Sequence, residues 1–217
     1  MLAGLIFDLD GVIADTARFH LAAWQRLATS LNIILPEAVV QDLRGRSRQS
    51  SLDLILSYGD QVYSPQEKAA MAQQKNVWYQ AAIKRLTPQD ILPGISELLA
   101  QADKRHLPLA LASASQNAPQ ILQQLHLSQR FAAIVDPSSL QHGKPDPEIF
   151  IKAQQLLGLT KDAVISFEDA AAGVAAIQAA GQFAVGIGPS AKRADYWVPD
   201  TQALHLDEIE AAYTKRR

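Results

Sequence analysis

Residues 2–13 read LAGLIFDLDGVI: the apolar run Leu2–Phe7 followed at once by two acids one residue apart. Similar short apolar runs recur at Leu107–Ala112, Ala132–Val135, Ala163–Phe167 and Phe183–Ile187. Runs of four to six residues that are apolar on both faces and bounded by turn residues are typical of buried parallel strands. The stretches between them have helical patterns, as in Pro145–Leu157 and Ala170–Ala180. This alternation predicts an α/β fold with a doubly wound parallel sheet.

One long segment interrupts the alternation. Residues 15–93 contain no convincing strand, and four stretches in them have helical patterns: Thr16–Leu31, Pro36–Leu43, Arg48–Tyr58 and Ser64–Leu86. Pro65 after Ser64 and before Glu67 is a reasonable helix start. We therefore predict a core domain made of residues 1–14 and 94–217, with a small helical-bundle domain, residues 15–93, inserted after the first strand.

Composition excludes several classes of protein. The chain has 217 residues, 48% of them hydrophobic and 19% charged, which argues against intrinsic disorder. The net charge of −2 provides no basic field for nucleic acid or an acidic membrane. Without cysteine there are no disulfides, thiolate metal sites or cysteine nucleophiles. No apolar run reaches the ~20 residues of a membrane span, and the N-terminus lacks the pattern of a signal peptide. We expect a soluble, cytoplasmic protein.

Polar side chains cluster just after the predicted strands, where α/β sheets bind their ligands. They are Asp8 and Asp10, Ser113 and Ser115, Asp136, Glu168 and Asp169, with Lys144 in a later loop. Converging carboxylates suit Mg²⁺, and a lysine with hydroxyls beside the metal suits phosphate. Each residue alone has a simpler explanation: turn capping for the acids and a solvated charge for the lysine. Their joint placement favours a site.

The motifs as a set resemble those of the haloacid dehalogenase (HAD) superfamily. The set consists of Asp8-Leu9-Asp10-Gly11-Val12, Ser113, Lys144 before Pro145-Asp146-Pro147, and Glu168-Asp169 with Gly173. The inserted helical domain resembles the superfamily's four-helix cap. Further segments are similar to those of the β-phosphoglucomutase family: Asp15-Thr16 with His20 and Trp24, residues 43–48, Lys75-Asn76, and residues 111–117. Ala14, Arg44 and Arg46 depart from that family's usual pattern, which leaves fine substrate preference open.

The resemblance implies a set of catalytic roles. Asp8 is the expected nucleophile, forming an aspartyl-phosphate. One Mg²⁺ is expected on the Asp8 side chain, the Asp10 backbone carbonyl and Asp169, with Glu168 in or next to this set. Ser113 and Lys144 would hold phosphoryl oxygens, and Asp10 would be the general acid/base. Thr16 and His20 share one helix face with Trp24 and would position Asp10.

A second group of residues is expected to bind the sugar phosphate. Arg48 has the forked donor that suits a second, non-reacting phosphate. Ser115, Gln116 and Asn117, before a helix that begins near Ala118, would hold the same phosphate from the core side. The remaining expected contacts are Asp10, Trp24, Gly45, Arg46, Ser47, Ser51 and Lys75. For Trp24, packing is an equally good explanation.

By resemblance the enzyme interconverts β-D-glucose 1-phosphate and glucose 6-phosphate through β-glucose 1,6-bisphosphate, which also primes the cycle. A sugar-phosphate phosphatase with the same core, in which water takes the phosphoryl group, is the main alternative. A non-enzymatic binding protein is a third reading. We expect small-molecule sugar phosphates as the only partners and a monomer, because the cap has to swing. The exact sugar and the pathway are left open.

Overall fold

The computed structural model describes residues 1–43 and 46–216, with only the backbone of Gln41. Within this part of the chain six parallel strands form one sheet, in the order β3-β2-β1-β4-β5-β6. The strands are β1 Gly4–Phe7, β2 Leu109–Leu111, β3 Ala133–Ile134, β4 Val164–Glu168, β5 Phe183–Ile187 and β6 Tyr196–Val198. The α-helices are α1 Ala17–Ser30, α2 Glu37–Asp42, α3 Arg48–Leu56, α4 Pro65–Ile83, α5 Ile95–Lys104, α6 Ala118–Gln124, α7 Glu148–Leu156, α8 Ala171–Ala179 and α9 Leu206–Arg216. The predicted doubly wound α/β fold is confirmed.

The register of the central strands decides where the site lies. β1 is fully buried between β2 and β4, and Phe7 pairs with Leu111 on one side and Phe167 on the other. The rings of Phe7 and Phe167 stack with centroids 4.5 Å apart. One residue further along, the Asp8 amide donates to the Phe167 carbonyl at 3.0 Å. Because the strands are parallel, the polar residues that follow them meet at one edge of the sheet.

Helices cover both faces of the sheet. Leu5 and Phe7 point into the larger core cluster with α5, α6 and α9, whereas Ile6 points into the other with α7 and α8. Successive side chains along a strand point to opposite faces, so an all-apolar strand needs cover on both. This explains why β1 has no alternating pattern. Asp8 therefore follows a strand that is fully buried.

Helices α1–α4 form the inserted domain, here called the cap, between β1 and α5. Its own core includes Trp24, Leu27, Leu52 and Ile55. The two connections between cap and core run side by side. Ala14 and Ile91 are antiparallel bridge partners, and the Leu92 amide donates to the Ile13 carbonyl at 2.9 Å. The exact limits at residues 15 and 93 stay a prediction.

The differences from the sequence-based elements lie at the ends and at one sheet edge. Strands β1, β2 and β3 are two or three residues shorter than their apolar runs, β4 is shifted by one residue so that it includes Glu168, and β5 matches its run. Strand β6 was not predicted, since it has three residues on the open edge and exposes Trp197. Among the helices of residues 1–43 and 46–216, none combines the length and hydropathy needed to cross a membrane.

Candidate active site

A buried lysine joins two carboxylates at the centre of the site. Lys144 Nζ donates to Asp8 Oδ1 and to Glu168 Oε2, both at 2.7 Å, and all three side chains are at least 94% buried. Burial by itself would lower the pKa of Lys144. The attraction and hydrogen bonds of Asp8 and Glu168 have the larger effect, so the pKa of Lys144 is raised. Lys144 is therefore a fixed cation beside Asp8.

Three carboxylates converge beside this lysine. One oxygen each from Asp8, Glu168 and Asp169 lies within 4.8 Å of the others. Burial, followed by repulsion from Asp8, raises the pKa of Glu168 above its usual value, and the charge of Lys144 opposes this rise. Crowded anions of this kind are stabilised by a cation, and a donor set made only of oxygens suits Mg²⁺. These three residues fit a magnesium ion, whereas the predicted Asp10 backbone ligand stays a prediction.

Two glycines make room for these acids. Gly11 has a φ of +82°, and a Cβ placed there would lie 2.2 Å from Asp169 Oδ2. On α8, a Cβ at Gly173 would lie 2.0 Å from the carboxyl carbon of Glu168. Both distances are well below van der Waals contact. Gly11 also has the left-handed backbone that favours glycine. The sequence motif therefore contains these glycines for a steric reason.

Asp10 leaves the same strand end and points toward the cap. Its Oδ1 accepts a short hydrogen bond from Thr16 Oγ1, and its Oδ2 lies 3.9 Å from His20 Nε2. Burial, followed by repulsion from Asp8, raises the pKa of Asp10 to about 6. A carboxyl group that titrates near neutrality is suited to both give and take a proton. The structure brings Thr16 and His20 to Asp10, as the sequence predicts.

His20 connects Asp10 to the cap helix α4. Its ring stacks on Tyr79 at 3.8 Å, and its Nδ1 lies 2.6 Å from Lys75 Nζ. Burial and the cations Lys75 and Arg48 lower the pKa of His20, which keeps the ring neutral. Lys75 Nζ also lies 4.6 Å from the ring centroid of Trp24, which lines the cavity while packing in the cap core. Both readings of Trp24 are therefore consistent with its position.

The segment after β2 forms a compact polar turn. The Ser115 amide donates to Ser113 Oγ at 3.1 Å, and the Asn117 amide donates to Ser115 Oγ at 3.3 Å. Ser113, Ser115 and Asn117 are buried, whereas Gln116 is exposed along the cavity. Asn117 begins α6 and lies under the cap.

An amide network connects this turn to the cap. Asn76 Oδ1 accepts from Arg48 Nη2 and from Asn117 Nδ2, both at 2.9 Å. Asn117 Oδ1 in turn accepts from Gln80 Nε2 at 3.1 Å. Arg48, Asn76 and Gln80 belong to the cap and Asn117 to the core, so these bonds cross the cleft. Sequence reasoning missed Gln80, and no local pattern distinguishes it from other glutamines of α4.

The remaining predicted cap residues lie around the cavity. Ser47 Oγ accepts from the Ser50 amide at 3.2 Å and so caps α3. Arg46 donates through Nε to the Asp42 carbonyl at 2.7 Å, with its side chain exposed at the cavity wall. Ser51 is buried and also lines the cavity. The predicted contact Gly45 lies outside the described residues, as does its neighbour Arg44.

One strand-end acid does not join the site. Asp136 is exposed, and its carboxylate accepts from the Ser138 amide at 2.9 Å, capping a short 3₁₀ turn. Its inclusion among the converging acids is therefore wrong. β3 ends after only two residues at the far edge from β4, so the residue after it does not reach the cluster.

A cavity of about 470 Å³ between cap and core joins these groups. Asp8, Asp10 and Asp169 line it from the core, and Arg48 and Lys75 from the cap. A loop that was not predicted, residues 140–143, forms another part of the wall. Glu148 holds this loop by accepting from the amides of Gln141 and His142 at 2.8 and 2.9 Å. A cavity of this size has room for a small sugar phosphate.

Comparison with known proteins agrees with this geometry. Residues 2–181 match the family model of haloacid dehalogenase-like hydrolases. The chain is 41% identical to β-phosphoglucomutase of Bacillus subtilis strain 168, over 100% of this chain and 97% of the relative. The chain belongs to the β-phosphoglucomutase family. The crystal structure of β-phosphoglucomutase from Clostridium difficile superposes with a TM-score of 0.96 at 39% identity, covering 100% of this chain and 99% of that one.

Phosphatases of the same superfamily are more distant. The fructose-1-phosphate phosphatase of Escherichia coli K12 is 28% identical, over 85% of this chain and 96% of the relative. The predicted family and the predicted α/β core with a helical insertion are thus confirmed, and the chain is an enzyme of the phosphoglucomutase type. This sets aside the reading as a non-enzymatic binding protein.

Proposed function

We propose that this enzyme interconverts β-D-glucose 1-phosphate and glucose 6-phosphate, with β-glucose 1,6-bisphosphate as the intermediate that leaves and returns. The observation that carries the proposal is the presence of two separate anion-binding groups at one cavity. Lys144 lies beside Asp8, which lines the core side of the cavity, and Arg48, which is joined to Asn117 through Asn76, lines its cap side. A mutase has to hold a second phosphate while the first is transferred, whereas a phosphatase acting on a monophosphate does not.

Asp8 is the proposed nucleophile. One carboxylate oxygen attacks the phosphorus of the bisphosphate, the bond from phosphorus to the sugar oxygen breaks, and an aspartyl-phosphate forms. Lys144, already 2.7 Å from Asp8, offsets the repulsion between the carboxylate and the phosphoryl oxygens. Asp8, Glu168 and Asp169 would hold Mg²⁺, which when bound supplies further positive charge to those oxygens. The Ser113 hydroxyl would donate a hydrogen bond to one of the phosphoryl oxygens.

Asp10 is the proposed general acid/base. It gives its proton to the sugar oxygen that leaves, and in the reverse step it takes the proton of the attacking hydroxyl. Thr16 fixes one of its oxygens, and neutral His20 faces the other. These contacts orient the carboxyl group toward the cavity. A pKa of about 6 keeps both protonation states accessible near pH 7.

The cap explains how water is kept from the aspartyl-phosphate. The hydrogen bond that Asn117 donates to Asn76 and the one that it accepts from Gln80 connect the cap to the core. When the sugar phosphate fills the space between Arg48 and Asp8, the attacking group is a sugar hydroxyl and solvent is excluded. A monomer in the cytoplasm, with sugar phosphates as its partners, stays a prediction of the sequence.

A coupled assay tests the proposal. The purified enzyme with Mg²⁺ and a trace of β-glucose 1,6-bisphosphate is given α- or β-glucose 1-phosphate, and glucose 6-phosphate and free phosphate are measured in parallel. We expect glucose 6-phosphate from the β-anomer, with free phosphate a minor product. Stoichiometric release of phosphate without glucose 6-phosphate would instead identify the enzyme as a sugar-phosphate phosphatase.

A further inference from the structure

In the amide network between cap and core, Arg48 determines which groups donate and which accept hydrogen bonds. A guanidinium can only donate, so the atom of Asn76 that faces Arg48 must be its oxygen. That oxygen also faces Asn117, whose contacting atom must then be the amide nitrogen. The Asn117 oxygen is left facing Gln80, which must donate in turn. Arg48 therefore determines the orientation of all three amides.

Asn76 Oδ1 occupies the position that an anion's oxygen would take. It accepts from a cation of the cap and from an amide of the core, both at 2.9 Å. An amide nitrogen carries two hydrogens and a guanidinium five, so the shared acceptor uses only part of their capacity. The same two donors can then bind a phosphate between cap and core without reorienting, which lowers the cost of binding.

We propose that Gln80 is a positioning residue for the distal phosphate: by donating to Asn117 Oδ1 it helps to keep the Asn117 amide nitrogen aimed at Asn76 Oδ1, the acceptor that Asn117 shares with Arg48. Without a donor at position 80, the Asn117 side chain is held only through its nitrogen, by Asn76 Oδ1, and its oxygen has lost the contact that fixes it. Gln80 is half-buried on α4 of the cap, and its side chain reaches Asn117 of the core. This inference rests on the proposed function, because it assumes a substrate with a second phosphate.

The test measures binding rather than turnover. In an Asp8→Asn background with Mg²⁺, the Kd of β-glucose 1,6-bisphosphate is compared with and without Gln80→Met, which keeps the length of the side chain but removes the donor. We expect Kd to rise roughly three- to tenfold, the effect of one net hydrogen bond. The Kd of inorganic phosphate, which has no distal phosphate, should rise by less than about twofold when Gln80 is replaced by methionine. Gln74→Met, at an exposed position of the same helix, is the matched control and should bind like the parent.

A double-mutant cycle shows whether Gln80 acts through Asn117. On an Asn117→Ala background, Gln80→Met should weaken bisphosphate binding by less than about twofold further. Three outcomes would overturn the inference. Gln80→Met could raise the Kd of the bisphosphate equally with and without Asn117, it could raise the Kd of inorganic phosphate as much as that of the bisphosphate, or it could leave both unchanged. The proposed function is judged separately by the isomerase assay on the unaltered enzyme, so either idea can fail without the other.

Discussion

Asp8 has to remain ionised while an anionic phosphoryl group approaches it, and Lys144 lies where it can make this possible. The lysine is held by two carboxylates and so stays charged despite its burial. The sequence predicted this group well, because residues that follow parallel strands converge whatever the details of the helices. It did not predict the Gln80–Asn117 contact, because that contact depends on how the cap docks. Nor did it show that Asp136 lies too far along the sheet.

Replacing the nucleophile tests the centre of the mechanism. Asp8→Asn keeps the shape of the side chain but removes its charge and its nucleophilicity, so turnover should fall below about a thousandth of the parent rate. Asp136→Asn is the matched control, since asparagine caps a turn about as well as aspartate. Both are assayed for isomerisation after mass spectrometry has excluded deamidation. Near-parental turnover of Asp8→Asn would contradict the assignment.

A substitution at Gly11 has two effects, a steric clash with Asp169 and strain in a left-handed backbone, and a second glycine allows them to be measured separately. Gly11 and Gly158 both have positive φ, but a Cβ at Gly158 meets no atom within 4 Å of the described structure. Alanine at either position should cost about 1–2 kcal/mol of stability through its left-handed backbone. Only Gly11→Ala should also displace Asp169, weakening activation by Mg²⁺ by about tenfold or more. Thermal unfolding and Mg²⁺ titrations of activity measure the two effects; equal activation of both variants would refute the steric role.

At the scale of helices and strands, the four helical patterns of the insert predicted each helix end to within three residues, whereas one short edge strand was missed. The predicted Thr16–Leu31 became Ala17–Ser30, and Ser64–Leu86 became Pro65–Ile83 with its Ser64–Glu67 capping box. These helices have enough residues for periodicity and capping signals to be read. Strand β6 has three residues and half-exposed side chains, so its pairing with β5 depends on a neighbour that the local sequence does not reveal.

Arg48 is the first residue of helix α3. Replacing its side chain tests whether it binds the second, non-reacting phosphate rather than supporting the reaction at Asp8. Arg48→Ala should reduce kcat/KM for β-glucose 1-phosphate by about ten- to a hundredfold, which corresponds to the loss of one charge-assisted hydrogen bond. Phosphorylation of Asp8 by acetyl phosphate, which has no distal phosphate, should suffer much less. Arg85→Ala, an exposed cap arginine, is the control. Equal losses for both substrates would mean that Arg48 supports the fold or the core site.

Helix α4 contains a lysine whose burial makes the stability of the protein depend on pH. Burial, followed by repulsion from Arg48, lowers the pKa of Lys75 from 10.5 to about 7. The unfolded chain therefore binds this proton more tightly than the folded protein does. Between pH 10.5 and about 7 the contribution of Lys75 to the free energy of unfolding falls as the pH is lowered, and below that range it is constant.

Replacement of this lysine removes that dependence. We expect Lys75→Met to gain stability relative to the parent as the pH falls from 9.5 to 7, by about 1 kcal/mol per pH unit at most. Urea unfolding at several pH values measures the difference. Lys84→Met, at the exposed end of the same helix, provides the comparison. A parent–variant difference that does not change with pH would show that Lys75 is not desolvated in this way.

At the scale of the whole molecule, activity should depend on a hard cation. EDTA should abolish isomerisation, and Mg²⁺ should restore it far better than Zn²⁺, because the clustered donors Asp8, Glu168 and Asp169 are all carboxylate oxygens. Measuring the rate after dialysis and stepwise addition of each metal tests this. Full activity in metal-free buffer would show that the acidic cluster does not hold a required ion.

The pairing of Ala14 with Ile91 means that the inserted segment starts and finishes at nearly the same point. Residues 15–90 therefore lie within a single connection of the chain, between β1 and α5, and no strand of the sheet comes from them. This segment forms the cap side of the cavity, with Arg48 and Lys75, whereas Asp8 and Asp169 line it from the core. We expect exchanges in this segment that spare Thr16 and His20 to change which molecules fit the cavity, while Asp8 and Lys144 keep their places in the core.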